Sequence, residues 1–340
     1  MKQLDLLHLT TDLSVCEPSQ NIDSKSTQPI AENWQLSKII GQNLAVSLLK
    51  GAITHNRIVP AYLFTGADGV GKSLAAKCFI AEIFNIQNLA NCPDILWVEP
   101  TYLHQKQLLS ESEIAASGVL RKTPPQIRIE QIREITQFLA TSPLIAPYKI
   151  VVVENAERMP PTAANALLKT LEEPISGTII LISSQPQKLL ATITSRCQLV
   201  PFQRLNNAQM TTVLENVGRS EILNHPNVIQ FAGGSPGIAI ACGTALGAIA
   251  HHDQLQSIPQ SILQQLIQPP SNLLTALSIA KDIEVQLDFH QQLWLIDYLQ
   301  HCWKGFLSDH NWLLKLEDAK NSLLKMASPR LVWEVLLFPD

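Results

Sequence analysis

Charge is scarce in this 340-residue sequence: 25 Lys and Arg face 29 Asp and Glu, 16% of residues in all, for a formal net charge of −4. No run of Lys and Arg forms an arm for a nucleic-acid backbone, so any such contact is expected to be shared with partners. Cysteine is sparse and scattered. Cys16, Cys78, Cys92, Cys197, Cys242 and Cys302 include no Cys-x-x-Cys pair and no Cys/His cluster at zinc spacing. That pattern argues against a structural zinc and against a disulfide framework, and predicts free thiols in a reducing compartment. No apolar run approaches the roughly 18 residues that span a bilayer. Acids interrupt the apolar stretch at 1–15, where no small-residue cleavage site follows. The expectation is a soluble cytoplasmic protein without membrane contact. What is plentiful is hydrophobic side chain, 46% of residues, enough for more than one core and for two or three domains.

Residues 1–33 are rich in Ser, Thr, Gln and Asp without a period of 2 or 3.6, and read as a flexible N-terminal extension. From Trp34 strand-like and helix-like segments alternate, the mark of an α/β layer fold with a largely parallel sheet. Strands are expected at 61–65, 95–99, 149–153, 178–183 and 198–201, and helices at 72–84, 129–140 and 163–173, with Pro174 stopping the last. After about 204 the strands cease. A helical block over 205–246 contains the break Gly233-Gly234-Ser235-Pro236-Gly237, and a second over 247–340 is divided by Pro269-Pro270.

Gly66-Ala67-Asp68-Gly69-Val70-Gly71-Lys72-Ser73 matches the phosphate-loop pattern G-x4-G-K-[ST], between an expected strand and an expected helix. Glycines let successive backbone N–H groups turn inward to phosphate oxygens, and the helix adds its positive end. Lys72 would reach the β and γ phosphates and Ser73 would ligate Mg²⁺, so ATP with Mg²⁺ is the expected ligand. The bland alternative is a chance glycine-rich turn.

A partner strand usually supplies a carboxylate for the metal, followed by another that handles the attacking water. Lys149-Ile150-Val151-Val152-Val153-Glu154 is the other β-branched run ending in an acid, which puts Glu154 at the metal position. Asn155 comes next, where the second acid belongs. An amide can hydrogen-bond water but cannot take its proton, and loss of a general base costs on the order of 10² to 10⁴ in rate. Glu157 would compensate only if the turn aimed it inward, which is not expected. Glu154 as a solvated strand-end acid remains the alternative.

These residues resemble the clamp-loader branch of the AAA+ ATPases, most closely its delta-prime subunits, over about 34–237. The likeness rests on Ile39-Ile40-Gly41-Gln42, Ala61-Tyr62-Leu63-Phe64-Thr65-Gly66 and Ile127-Arg128-Ile129-Glu130-Gln131-Ile132-Arg133-Glu134. It rests further on Ala163-Ala164-Asn165-Ala166-Leu167-Leu168-Lys169-Thr170-Leu171-Glu172-Glu173-Pro174, Ser195-Arg196-Cys197 and Gly234-Ser235-Pro236-Gly237. It implies a RecA-like AAA+ domain over 34–204, a helical lid over 205–246 and a helical collar over 247–340. It also implies a hetero-pentameric ring with gamma/tau motor and delta subunits in the DNA polymerase III holoenzyme, acting on a sliding clamp and primer-template DNA. In that setting Arg196 would be an arginine finger reaching a neighbour's nucleotide in trans. Ser183 or Ser184 would sense the γ-phosphate, and Ile40, Gly41 and Gln42 would line the adenine pocket. Each has a plainer alternative: an Arg paired with a nearby acid, a hydroxyl capping a strand, a helix N-terminal turn.

Departures from the motor subunits matter equally. Gly237 stands where they carry a nucleotide-touching Arg, and only Cys78 and Cys92 occur where they carry zinc ligands. Together with Asn155, these features favour a weakly hydrolysing subunit over an ATP-hydrolysing gamma/tau-like motor. A small-molecule kinase would leave 163–174 unexplained.

Overall fold

The middle strands of the sheet alternate their side chains between two buried layers, which is why their sequences read as nearly unbroken apolar runs, and the sheet as a whole has five strands. They are β1 (Ala61–Thr65), β2 (Ile95–Val98), β5 (Lys149–Val153), β6 (Gly177–Ser183) and β7 (Gln198–Pro201), all parallel in the order β2-β5-β6-β1-β7. The computed structural model describes residues 34–104, 107–110, 113, 124–173, 177–245, 258–266, 268–270, 272–303, 311–325 and 327–338. The extension expected at 1–33 and the helix stop at Pro174 lie outside them.

Tyr62, Phe64, Ile150, Val152, Ile180 and Ile182 meet α1 (Asn43–Thr54) and α2 (Lys72–Phe84) on one face. Leu63, Val151, Val153, Ile179 and Leu181 meet α3 (Ile129–Ala140) and α4 (Pro161–Glu172) on the other. Each fully buried large side chain contributes about 1.5–3 kcal/mol, so a one-residue slip of register would exchange the two cores and forfeit both. The chain is thus an α/β fold with a parallel sheet followed by a helical region. Expected and observed strands agree within one residue at each end. A short antiparallel pair, β3 (Tyr102–His104) with β4 (Gln107–Leu109), was not expected. Its strands are too short to show alternation, and Leu103 and Leu108 are exposed.

Among the described residues no strand follows Pro201. Beyond a four-residue helix α5 (Ala191–Thr194), the helices α6 (Asn207–Asn216), α7 (Pro226–Ala232) and α8 (Pro236–Ala245) enclose a cluster that includes Leu205, Met210, Leu214 and Cys242. A larger cluster holds α9 (Gln260–Gln265), α10 (Leu273–Gln286), α11 (Phe289–Cys302), α12 (Asn311–Leu324) and α13 (Pro329–Leu337). Trp303 and Trp333 are fully buried there, and their indole N–H groups donate to Leu266 O and Gln292 Oε1, each at 2.9 Å. Buried indoles with satisfied donors are core residues rather than platforms for bases.

Candidate nucleotide-binding site

The sheet order places the ends of three neighbouring strands side by side. β1 leads into the phosphate loop, β6 ends at Ser183, and β5 leads into Glu154. Ligands of parallel sheets gather at such carboxyl ends. The loop turns through left-handed backbone at Gly69 (φ 71°) and Gly71 (φ 100°), conformations that side-chain-bearing residues rarely adopt. Lys72 opens α2 and is nearly buried. Its ammonium donates to Gly66 O at 2.7 Å and Ala67 O at 2.6 Å, so the cation lies within the loop. Burial lowers its pKa, opposed by the charges of Asp68, Glu157 and Glu154.

Ser73, next to Lys72 at the start of α2, lies close enough to the Glu154 carboxylate to act on its titration. Burial raises the Glu154 pKa above the ordinary carboxylate range and Glu99 adds to the rise, while Ser73, Lys72 and Lys77 oppose it. A hydroxyl and a carboxylate close together beside a buried ammonium form a donor set suited to Mg²⁺ with phosphate. Asn155, next in the chain, adopts left-handed backbone, φ 47°.

That turn overturns one expectation. Glu157 is aimed inward: its Oε1 accepts from the Ser184 hydroxyl at 2.8 Å and from Ser184 N at 3.4 Å. Its Oε2 is buried without a hydrogen-bond partner. The missed signal was Asn155 itself, since Asn is the side-chain-bearing residue most at ease in left-handed backbone and so re-aims the residues after it. The two serines also part company. Ser183 Oγ accepts from Gln185 N at 3.1 Å, capping the strand end, whereas Ser184 faces Glu157.

The remaining candidates lie around this centre. Gln42 is buried, and its amide joins the loop to the segment after β7: Nε2 donates to Val70 O (3.3 Å) and Gln203 O (2.7 Å), and Oε1 accepts from Gln203 N (2.8 Å). Gly41 lies under Leu205, whose Cδ2 is 2.2 Å from where a Cβ would stand, and Ile40 packs against the cluster around Leu205. The loop meets α8 through Ser235, whose hydroxyl donates to Asp68 O, and through Gly237, whose N–H donates to Gly69 O. Arg196 is exposed and pairs with Glu172 Oε1 at 2.8 Å while donating to Thr192 O at 3.0 Å. Within this chain it therefore sits in the plainer of its two expected settings. Cys78 lies on α2 and packs in the core, and burial lifts its thiol pKa to about 11.

Two family models divide the chain. Residues 41–206 match the family described as DNA polymerase III, delta subunit, and residues 208–339 match Cyanobacterial DNA polymerase III delta prime, C-terminal domain. The chain is 33% identical over 180 residues to DNA polymerase III subunit delta' of Bacillus subtilis, covering 48% of each chain. It is 35% identical over 142 residues to the delta' subunit of Pseudomonas aeruginosa, covering 40% of this chain and 41% of that one. Subunit tau/gamma of Haemophilus influenzae is 26% identical over 218 residues, 62% of this chain and 31% of its own length. The chain thus spans between about a third and a half of the length of these curated relatives. With one family model matched on each side of residue 207, the chain belongs to the DNA polymerase III delta-prime family.

Proposed function

We propose that this chain is the stator-like delta-prime subunit of a sliding-clamp loader in the bacterial cytoplasm. It holds ATP weakly or stably and lends Arg196 to a neighbouring motor subunit as a clamp is loaded onto primed DNA. The observation that carries the reading is an intact loop joined to an incomplete second strand. Ser73 lies near Glu154, yet the position after Glu154 is Asn155, an amide that cannot take a proton. Loop 66–73 would cradle phosphates through its N–H groups, Lys72 would neutralise them, and Ser73 with Glu154 would take Mg²⁺. Held by Ser73 and Glu154, Mg²⁺ would supply positive charge to offset that of the phosphates.

The motor alternative is disfavoured by the lid contact. A Cβ on Gly237 would stand 2.7 Å from the Gly69 Cα, leaving no space for the motor arginine at that position. The separate buried clusters around Leu214 and around Trp333 support taking 205–246 as lid and 247–340 as collar. Gamma/tau and delta subunits in a hetero-pentameric ring are the partners this reading names.

The test measures nucleotide binding and hydrolysis on the purified chain, then in a loader reconstituted with motor and delta subunits. Arg196→Ala is expected to assemble normally and to lower DNA-stimulated ATPase severalfold, because a planar permanent cation stabilises transition-state charge. An unchanged rate removes the trans-finger role. Failure of Lys72→Ala to weaken ATP binding removes the loop's role.

A further inference from the structure

Glu157 holds a position that a surface acid has no reason to hold. The left-handed turn at Asn155 sends the chain through a short 3-10 turn, Ala156–Arg158, whose first residue is buried. That turn brings Glu157 across to the end of β6, where both the hydroxyl and the N–H of Ser184 fix one carboxylate oxygen. The other oxygen is buried and unpartnered, whereas in folded proteins nearly all buried polar atoms find a partner. Leaving such an oxygen unmet typically costs about 1–3 kcal/mol or more, which points to a group that enters and meets it. Charge locates the place. Ser184 follows β6, which lies between β1, the strand leading into the phosphate loop, and β5, the strand leading into Glu154, and the Glu157 carboxylate acts with Asp68 and Glu154 on the Lys72 ammonium that terminal phosphates would engage.

We propose that Glu157, three residues beyond the strand end, is the acid that faces the terminal phosphate in this chain, in place of the carboxylate that Asn155 lacks. The proposal rests on the nucleotide-binding reading and deepens it. In the chain's own slow hydrolysis, a water held by the free Glu157 oxygen bonds to the γ-phosphorus. The bond from that phosphorus to the β,γ-bridging oxygen breaks, ADP leaves with the bond's electron pair, and the water's proton passes to the Glu157 carboxylate. Ser184 is a positioning residue that holds the opposite oxygen and so orients the free one.

The test uses the full chain with Mg²⁺. Affinities for ATP and ADP are measured by calorimetry, and hydrolysis is followed in single-turnover experiments, for the wild type, Glu157→Gln and Lys72→Ala. Glu157→Gln is expected to lower turnover by about 10²-fold, the ordinary cost of losing a general base. It should also raise the ATP-to-ADP affinity ratio severalfold, because a negative charge beside the γ-phosphate is removed. A residue that merely holds the fold would not move that ratio upward. Should Glu157→Gln fail to fold, Glu157→Asp, which withdraws the carboxylate by one methylene, is expected to cut turnover at least tenfold. Turnover and ratio both unchanged, or a wild type that binds ATP without any turnover, overturns the role of Glu157 and leaves the binding reading intact. No binding of either nucleotide by the wild type overturns both.

Discussion

Gly237 donates its backbone N–H to the carbonyl of Gly69 across 3.0 Å, so the start of α8 and the phosphate loop touch main chain to main chain. The approach is so close that a Cβ on Gly237 would lie 2.7 Å from the Gly69 Cα, and one on Gly69 would lie 2.5 Å from Ser235 Oγ. Two glycines from distant parts of the sequence are each required by the other. In Gly237→Ala, better helix propensity contributes at most about 1 kcal/mol, while overpacking costs about 1–3 kcal/mol. The expected outcome is a net loss of stability in thermal unfolding. A variant as stable as the wild type would show that the loop and α8 separate readily.

Arg196 and Glu172 form an exposed pair, and such pairs contribute roughly 0–1 kcal/mol. Glu172→Ala should therefore leave denaturant stability within about 1 kcal/mol of wild type. In a reconstituted loader it should keep the ATPase rate that Arg196→Ala loses, since it frees the guanidinium. Equal losses from both substitutions would mean that the pair itself, and not a mobile finger, is what matters.

Asp94 is fully buried, and its carboxylate accepts three backbone N–H groups, from Leu144 (2.8 Å), Ile145 (2.7 Å) and Ala146 (2.8 Å). Burial alone would raise its pKa, but those bonds and the charge of Lys149 bring it below the ordinary value. A depressed folded pKa means that its contribution is fully present above the ordinary carboxylate range, near pH 4, and is lost as pH falls through the folded value. Asp94→Asn puts an NH₂ donor against backbone donors and should lower stability by about 2–3 kcal/mol at pH 7. The difference from wild type should shrink in acid, which a pH series of chemical denaturation measures.

Gln42 ties Val70 to Gln203 through three hydrogen bonds in a buried setting. Gln42→Ala strands the Gln203 N–H and two carbonyls, at a cost of about 2–3 kcal/mol. Because Val70 lies in the loop, nucleotide affinity should fall together with stability. An unaffected affinity would separate Gln42 from the nucleotide site.

Much of the fold was legible because strand and helix periods are local properties. The β-branched run at 149–153 and the helical spacing at 129–140 needed no knowledge of neighbours, and both appear with the expected limits. Pairing the phosphate loop with Glu154 was equally legible, since one motif and one acid-ended strand leave few combinations. Glu157 was misjudged because its direction depends on the left-handed turn at Asn155 and on Ser184, which is 27 positions away. Ser183 and Ser184 could not be told apart, since adjacent strand residues point to opposite faces and the exit turn decides which one meets the site.

The amino-acid order by itself determined the α/β architecture, the loop at 66–73 and the absence of an acid at 155, because each arises from residue type at short range. The tertiary structure alone decided that Glu157 meets Ser184, what closes over Gly69, and that Arg196 rests against Glu172. Those outcomes depend on contacts between segments 24 to 168 positions apart (Glu172 to Arg196, Gly69 to Gly237), whose geometry exists only once the parallel sheet has placed its strand ends side by side.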